Sequence, residues 1–406
     1  LEESERMDRR MGMSRRSVLC AAGSGIALTV LAQPIQAGTI TRQISTGPDE
    51  SGKRADLAEQ AIVTRHVRTL WGMRRMRLGT LTWPGYLPGQ SFAQWHYWWQ
   101  AHLLDCAVDA AHRARTPERI DRVVSLARGI RTRNLTGWTN RYYDDMAWLM
   151  LALERADRLL GVRFGDAVGE LRIALLAGWN TAVGALPWRV GDDYYNTPAN
   201  GPAGIALVRS GDLARARQLA DFLYTRLRDN GSGLVLDGVH EPGGRVDRTI
   251  YTYCQGVAIG LETELAVRTG ESVHYRRAAA LVAAAESGLT DAGVIVAAAG
   301  DDTGLFMGIL ARYLAVAAVS LGDPTAAEVV RASARAAWEN RAEVDGLPLF
   351  GADWSRAVTE PGRPESFPLL TDSAAAVSSN LSRDLSVQLS GWMLLEADYR
   401  LTAAGL

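Results

Sequence analysis

Two adjacent carboxylates, Asp144 and Asp145, sit in the densest run of reactive side chains, Asn140-Arg141-Tyr142-Tyr143-Asp144-Asp145-Met146-Ala147-Trp148. Paired carboxyls in an aromatic setting can divide acid and base duties. Mutual repulsion and desolvation by Tyr and Trp separate their pKa values, leaving one protonated and one ionised near neutral pH. Hydrolysis of a glycosidic bond requires that division. A structural use competes with it: Asp144 can cap a helix and Asp145 can answer the helix dipole. Successive helical residues also point about 100° apart. On spacing alone the structural use is the stronger reading.

Other residues suit a carbohydrate groove. The chain holds 12 Trp against 6 Phe, and indole faces make platforms for the apolar faces of sugars, although core packing is their ordinary use. Tyr143, Trp188, Tyr251, Tyr253 and Gln255 stand on loops or helix starts where they could line such a groove, or else pack against a neighbouring helix. Asn196 and Asn200 could bond sugar hydroxyls or cap the next helix. Trp98 and Trp99 fall inside a helix, where one of them is expected in the core. Asp301-Asp302, followed by Thr303-Gly304, reads as a helix cap, and His96 and His102 read as core or surface residues rather than ligands.

Other function classes find little support. Lys plus Arg total 44 against 45 Asp plus Glu, a formal net charge of −1, so no field would gather nucleic acid. Of three cysteines, Cys20 precedes the folded region, which leaves Cys106 and Cys254 for at most one disulfide. With no Cys-x-x-Cys pair and no His-Glu-x-x-His among six His, no metal or other cofactor is expected.

The elements that must position these residues are helical. From about residue 56 onward apolar residues recur every three or four positions, giving candidate helices over 56–76, 91–115, 117–131, 144–161, 163–179, 198–210, 212–229, 253–270, 272–287, 303–321, 323–340 and 384–403. Several are joined by short breaks such as Arg115-Thr116-Pro117, Ser210-Gly211-Asp212 and Leu321-Gly322-Asp323, which force antiparallel neighbours. Longer loops at 132–143, 180–197, 230–252 and 288–302 separate the pairs and should share one face. The pattern predicts an all-α toroid of about six helical hairpins, an (α/α)6 barrel over 55–406, rather than an open solenoid of identical repeats. A short β-hairpin is allowed between Gly233 and Asp247.

The first residues read as an address. Ser14-Arg15-Arg16-Ser17-Val18-Leu19 carries a twin-arginine pair ahead of an apolar run from Val18 to Ala32, and small residues follow to Ala37. Residues 1–37 are therefore expected to direct export to the cell envelope or beyond it, with 38–54 as a linker. The apolar run is too short and Gly-rich for a convincing membrane span.

Several motifs, in order, resemble glycoside hydrolase family 76, the endo-α-1,6-mannanases. Tyr142-Tyr143-Asp144-Asp145-Met146-Ala147-Trp148 resembles the family signature, and Trp98-Trp99-Gln100 resembles its Trp-Trp-Gln helix, with Asp109 further on. Similar segments are Gly184 to Arg189 with Asn196-Thr197-Pro198-Ala199-Asn200, Tyr251-Thr252-Tyr253-Cys254-Gln255-Gly256, and Gly304 to Leu314. The resemblance spans about 56–404. It implies an (α/α)6 barrel and a retaining mechanism, with Asp144 as nucleophile and Asp145 as acid/base. Tyr195, Cys254 and Met307 depart from the family pattern, and lost polar groups near the mouth would remove bonds to sugar hydroxyls.

The resemblance implies hydrolysis of α-1,6-mannosidic linkages in a mannan-type polysaccharide. Two alternatives share the fold: a mannan transglycosidase of the cell envelope, in which a sugar replaces water, and a mannan-binding protein whose carboxylates are only caps.

Overall fold

The computed structural model describes residues 48–85, 90–296, 303–358 and 383–406, all within the unit Thr46–Leu406. The export segment, most of the linker and Asp301-Asp302 lie outside the described residues.

Twelve α-helices are present among the described residues: α1 Pro48–Arg65, α2 Tyr97–Arg113, α3 Pro117–Arg133, α4 Tyr143–Leu160, α5 Ala167–Ala177, α6 Thr197–Arg209, α7 Leu213–Phe222, α8 Thr252–Thr269, α9 Ser272–Leu289, α10 Phe306–Leu321, α11 Pro324–Glu339 and α12 Leu385–Ala403. The even-numbered helices pack side by side in sequence, and α12 returns to α2 to close the ring. Each odd-numbered helix from α3 to α11 lies against the inner helix before it in the chain, whereas α1 packs chiefly on α12 and so joins the two ends of the fold. This is the (α/α)6 barrel expected from the helix pairs.

The side-chain pattern explains the two layers. Inner helices are covered on every side, so α8 buries residues from Cys254 through Thr263 without a break. Outer helices bury one stripe, as α11 does with Ala326, Val329, Val330, Ser333, Ala334 and Ala337. The short inner-to-outer turns are built from ordinary stop and start signals. Gly161, Gly270 and Gly322 end α4, α8 and α10 at φ of 66°, 72° and 71°. Thr116, Asp212 and Asp323 accept from the backbone N–H three residues on and start α3, α7 and α11.

At the opposite face, which we call the mouth, all six inner helices begin. Four of them carry a carboxamide at their fourth residue, and each grips the backbone of a mouth segment with both ends. Gln100 accepts from Gly79 N at 2.8 Å and donates to Gly79 O at 3.0 Å. Asn200 does the same with Leu186, at 2.8 Å both ways. Gln255 grips Val235, at 2.7 Å both ways, and Gln388 grips Phe350, at 3.2 and 2.9 Å. All four carboxamides are buried. A buried backbone pair needs such partners, and the clamp supplies both at once.

Small antiparallel hairpins decorate the mouth: β1 Val67–Thr69 with β2 Arg77–Gly79, β6 Thr290–Asp291 with β7 Val294–Ile295, and β8 Ala342–Val344 with β9 Leu347–Leu349. The hairpin allowed near Gly233 is β4 Gly238–His240 with β5 Arg245–Asp247, and β3 Tyr194–Asn196 adds a third strand.

Three boundaries differ from the sequence expectation. Residues 48–54, read as the end of a linker, belong to α1, and the helix expected over 56–76 stops at Arg65. The apolar spacing of 67–79 belongs to β1 and β2, two strands too short for alternation to show. The helix expected from residue 91 begins at Tyr97. Cys106 and Cys254 are buried free thiols.

Gln255→Met keeps the side chain's length but strands the buried N–H and C=O of Val235. It is expected to lower unfolding stability by about 2–4 kcal/mol, measured by urea denaturation. A change below about 0.5 kcal/mol, the size of an ordinary surface substitution, would show that the clamp holds nothing.

Candidate active site

The candidate site starts at the first turn of α4. Tyr142 precedes the helix without offering a side-chain cap, so the first-turn N–H groups and the dipole's positive end remain for acids placed there. Asp144 and Asp145 occupy that turn, and both are partly exposed to solvent. Their surroundings differ. Asp144 Oδ2 accepts from the indole Nε1 of Trp188 at 3.0 Å, and Oδ1 accepts from the backbone N–H of Asp145 at 2.9 Å. Asp145 Oδ2 accepts from Asn140 Nδ2 at 2.6 Å, and Asn140 Oδ1 is itself fixed by the N–H of Tyr142 at 2.9 Å. The two carboxyls are thus held by different loops, Asp144 by the segment before α6 and Asp145 by the segment before α4.

Burial pushes the Asp144 carboxyl up to about 6, against the opposing pull of the Trp188 and Asp145 N–H donors. The neighbouring carboxylate that adds to the rise is Asp237, on the mouth loop that leads into β4. Asp237 is likewise raised to about 6 by burial, with Asp247 contributing. The Tyr194 hydroxyl donates to Asp237 Oδ2 at 2.5 Å, and the Cys254 thiol faces its Oδ1 at 3.7 Å. The site therefore holds three carboxyls, of which the adjacent pair alone was legible in advance. Asp237 stands alone on a loop, flanked by Leu234-Val235-Leu236 and Gly238, and a single acid in an apolar stretch was its one signal.

Aromatic rings form another wall. Tyr253 stacks on Phe306 with centroids 3.9 Å apart, and Tyr251 meets the same ring edge-on at 5.3 Å. Trp98 lies 6.1 Å from Phe306 and contacts His102, which packs on Trp148 at 4.5 Å. Tyr251, Tyr253 and Trp98 keep part of their surface open, whereas Trp99 is buried in the core. Burial and the Arg312 guanidinium lower the His102 pKa to about 3, so this imidazole is neutral at working pH. Below it, Arg155 and Arg312 each pair with both Asp105 and Asp109, and this ion network plugs the ring. Asp109 is thus part of the plug.

Four expected sugar contacts are corrected. Asn196 is buried and caps α6, accepting from Ala199 N at 3.2 Å. Asn200 and Gln255 are fully enclosed and spend their amides on the loop clamps. Tyr143 turns away from the lumen; its ring fills the space where a Cβ on Gly178 would come within 2.2 Å of it. Carboxamides that suit sugar hydroxyls also suit buried peptide groups, so residue type alone could not separate the two uses. Trp188, Tyr251 and Tyr253 do border the mouth. Of the three departures, Tyr195 and Met307 are buried and remove no open polar group, whereas Cys254 touches Asp237. Among the described residues no cluster of three or more His, Cys, Asp or Glu could share a metal ion. None of the described helices is long and apolar enough to cross a membrane.

A family model described as glycosyl hydrolase family 76 matches residues 56–385. The chain belongs to glycosyl hydrolase family 76. As a member of that family it is a glycoside hydrolase. Solved structures agree. The GH76A α-1,6-mannanase of Salegentibacter sp. HEL1_6 is 26% identical with a TM-score of 0.73, covering 86% of this chain and 98% of that one. An inactive variant of that mannanase, with two consecutive aspartates changed to asparagine, was solved in complex with α-1,6-mannotriose, at 25% identity and TM-score 0.72, covering 86% of this chain and 99% of that one. The Lin0763 protein of Listeria innocua is 25% identical with a TM-score of 0.74, covering 86% and 97%. A search of curated proteins found no match.

The raised Asp144 pKa makes its ionised form a cost to the fold. Its protonated form is favoured relative to the unfolded chain, so the penalty is absent below about pH 4 and complete above about pH 6. Asp144→Asn is expected to raise Tm by a few degrees at pH 7.5 and to leave it unchanged at pH 4, followed by calorimetry. An equal shift at both pH values would contradict the assignment.

Proposed function

We propose that this family 76 glycoside hydrolase is a retaining endo-α-1,6-mannanase, exported by its twin-arginine segment, that acts on mannan outside the cytoplasm. The observation that carries the catalytic reading is the unequal environment of two adjacent, solvent-accessible carboxyls in the first turn of α4. The relative inactivated by replacing two consecutive aspartates, and bound to α-1,6-mannotriose, supports both the residues and the substrate.

In the first step Asp144 attacks the anomeric carbon while Asp145 gives its proton to the departing glycosidic oxygen. One C–O bond forms and one breaks, leaving a mannosyl ester on Asp144. The donors Trp188 Nε1 and Asp145 N–H orient the attacking carboxylate and hold it as an acceptor, and the α4 dipole favours its charge. In the second step Asp145, now ionised, takes a proton from water, which attacks the same carbon and releases Asp144. Asp237 adds to the rise that burial imposes on Asp144. Trp188, Tyr251 and Tyr253 offer faces to the sugar rings.

Both carboxyl variants are expected to lose activity on linear α-1,6-mannan by about 10²–10⁴-fold or more. They should part on an aryl mannoside whose leaving group needs no proton. Asp145→Asn then retains much of its first-step rate, and Asp144→Asn does not. Retention by Asp144→Asn instead would reverse the roles. Full mannan activity in either variant would overturn the catalytic reading.

Ionised Asp144 is the reactive form, so kcat/KM should fall as pH drops below about 6. Removing the neighbouring charge in Asp237→Asn stabilises that anion and should move the acid limb to lower pH. A limb that stays in place would separate Asp237 from the nucleophile.

A further inference from the structure

One corner of the mouth carries an aromatic arrangement that the cleavage step does not use. Trp71, in the turn between β1 and β2, is 51% exposed. Its backbone is left-handed, at φ 45° and ψ 34°, a conformation that a bulky residue rarely adopts. The ring is nonetheless fixed, because Nε1 donates to Ser91 O at 2.7 Å and leaves the indole's position determined.

The same corner concentrates backbone strain. Of six non-glycine residues with positive φ among those described, Trp71, Arg75, Phe92 and Leu135 all lie in the three adjoining segments here. Strain of this kind persists only where surrounding structure imposes it, and it gathers at ligand clamps. Arg133, the last residue of α3, ties the segments together: Nε donates to Phe92 O at 2.6 Å and Nη2 to Ala93 O at 3.0 Å. Its guanidinium lies 6.0 Å from the Trp71 ring centre and 5.0 Å from that of Trp95.

The corner is continuous with the active site. Trp95 meets Tyr97 at 5.6 Å, and the Tyr97 hydroxyl donates at 2.6 Å to the carbonyl of Trp138, in the loop that leads to Asn140. Asn140 is the residue that holds Asp145. Burial, with the charge of Asp145 next in effect, raises the Tyr97 pKa well above that of a free phenol. A chain of contacts therefore runs from Asp145 through Asn140, the backbone back to the Trp138 carbonyl, Tyr97, Trp95 and Arg133 to Trp71.

We propose that Trp71, with Arg133 beside it, is a distal glycan subsite that takes a mannosyl unit of the polymer several residues from the bond being cut. This inference rests on the mannanase reading above. The apolar face of the sugar stacks on the indole, and the guanidinium edge offers hydrogen bonds to its hydroxyls. Such a subsite favours long chains over short ones without touching the reacting atoms, so it steers the enzyme toward internal bonds of a polymer.

The test is titration of the Asp144→Asn/Asp145→Asn protein with linear α-1,6-mannan and with α-1,6-mannotriose, with and without a change at Trp71. Trp71→Gly suits a left-handed backbone and should fold at least as stably as its parent; Trp71→Ala is the second variant. Both should weaken polymer binding about tenfold, the loss of one aromatic contact of about 1.4 kcal/mol, and leave mannotriose binding unchanged. Polymer affinity within twofold of the parent, or equal losses on both ligands, overturns the subsite. If the parent double variant binds neither ligand, the mannanase reading fails first and the subsite falls with it.

Discussion

Four of the six mouth segments of this barrel present a residue's backbone N–H and C=O to a buried interface, and something must bond them. Four buried carboxamides, Gln100, Asn200, Gln255 and Gln388, meet that requirement by gripping one residue's N–H and C=O at once. Because each stands at the fourth position of an inner helix, a loop's height is locked to its helix's start. The geometry of the site follows from that lock. Leu186, gripped by Asn200, stands two residues before Trp188, whose indole orients Asp144. Val235, gripped by Gln255, stands two residues before Asp237. The clamps thus help to place two of the three carboxyls, Asp144 through its partner Trp188 and Asp237 through its own loop.

Beneath this frame the barrel spends buried charge to close its interior. Arg155 and Arg312 pair with Asp105 and Asp109. Replacing such a cluster by apolar residues is often neutral for stability, whereas removing a single partner is costly. The plug also fixes the local field. Burial first, and then the plug's Arg312, keep His102 neutral. Six helix N-termini pointing the same way add partial positive charge there, which suits an attacking carboxylate.

Helix positions were legible because 3.6-residue periodicity, glycine stops and Asp or Thr starts are local signals, as at Gly322-Asp323. The segment 67–79 was misread because strands of three residues carry no period. The adjacent acids were legible as a pair, and their family resemblance separated catalysis from capping. Asn196, Asn200 and Gln255 were not separable from sugar ligands, since a carboxamide's function depends on whether its partner is a hydroxyl or a peptide. Asp237, and the role of Asn140 within its run, are not legible for a related reason: their partners, Tyr194 and Asp145, become neighbours or acquire geometry only after folding.

Asp144 is the proposed nucleophile, whose carboxylate oxygen bonds the anomeric carbon. Trapping the protein with a 2-deoxy-2-fluoro-α-mannosyl fluoride, followed by peptide mapping in the mass spectrometer, tests this directly. One fluoromannosyl ester, on Asp144, is the expected result. An ester on Asp145 or Asp237 would contradict that assignment.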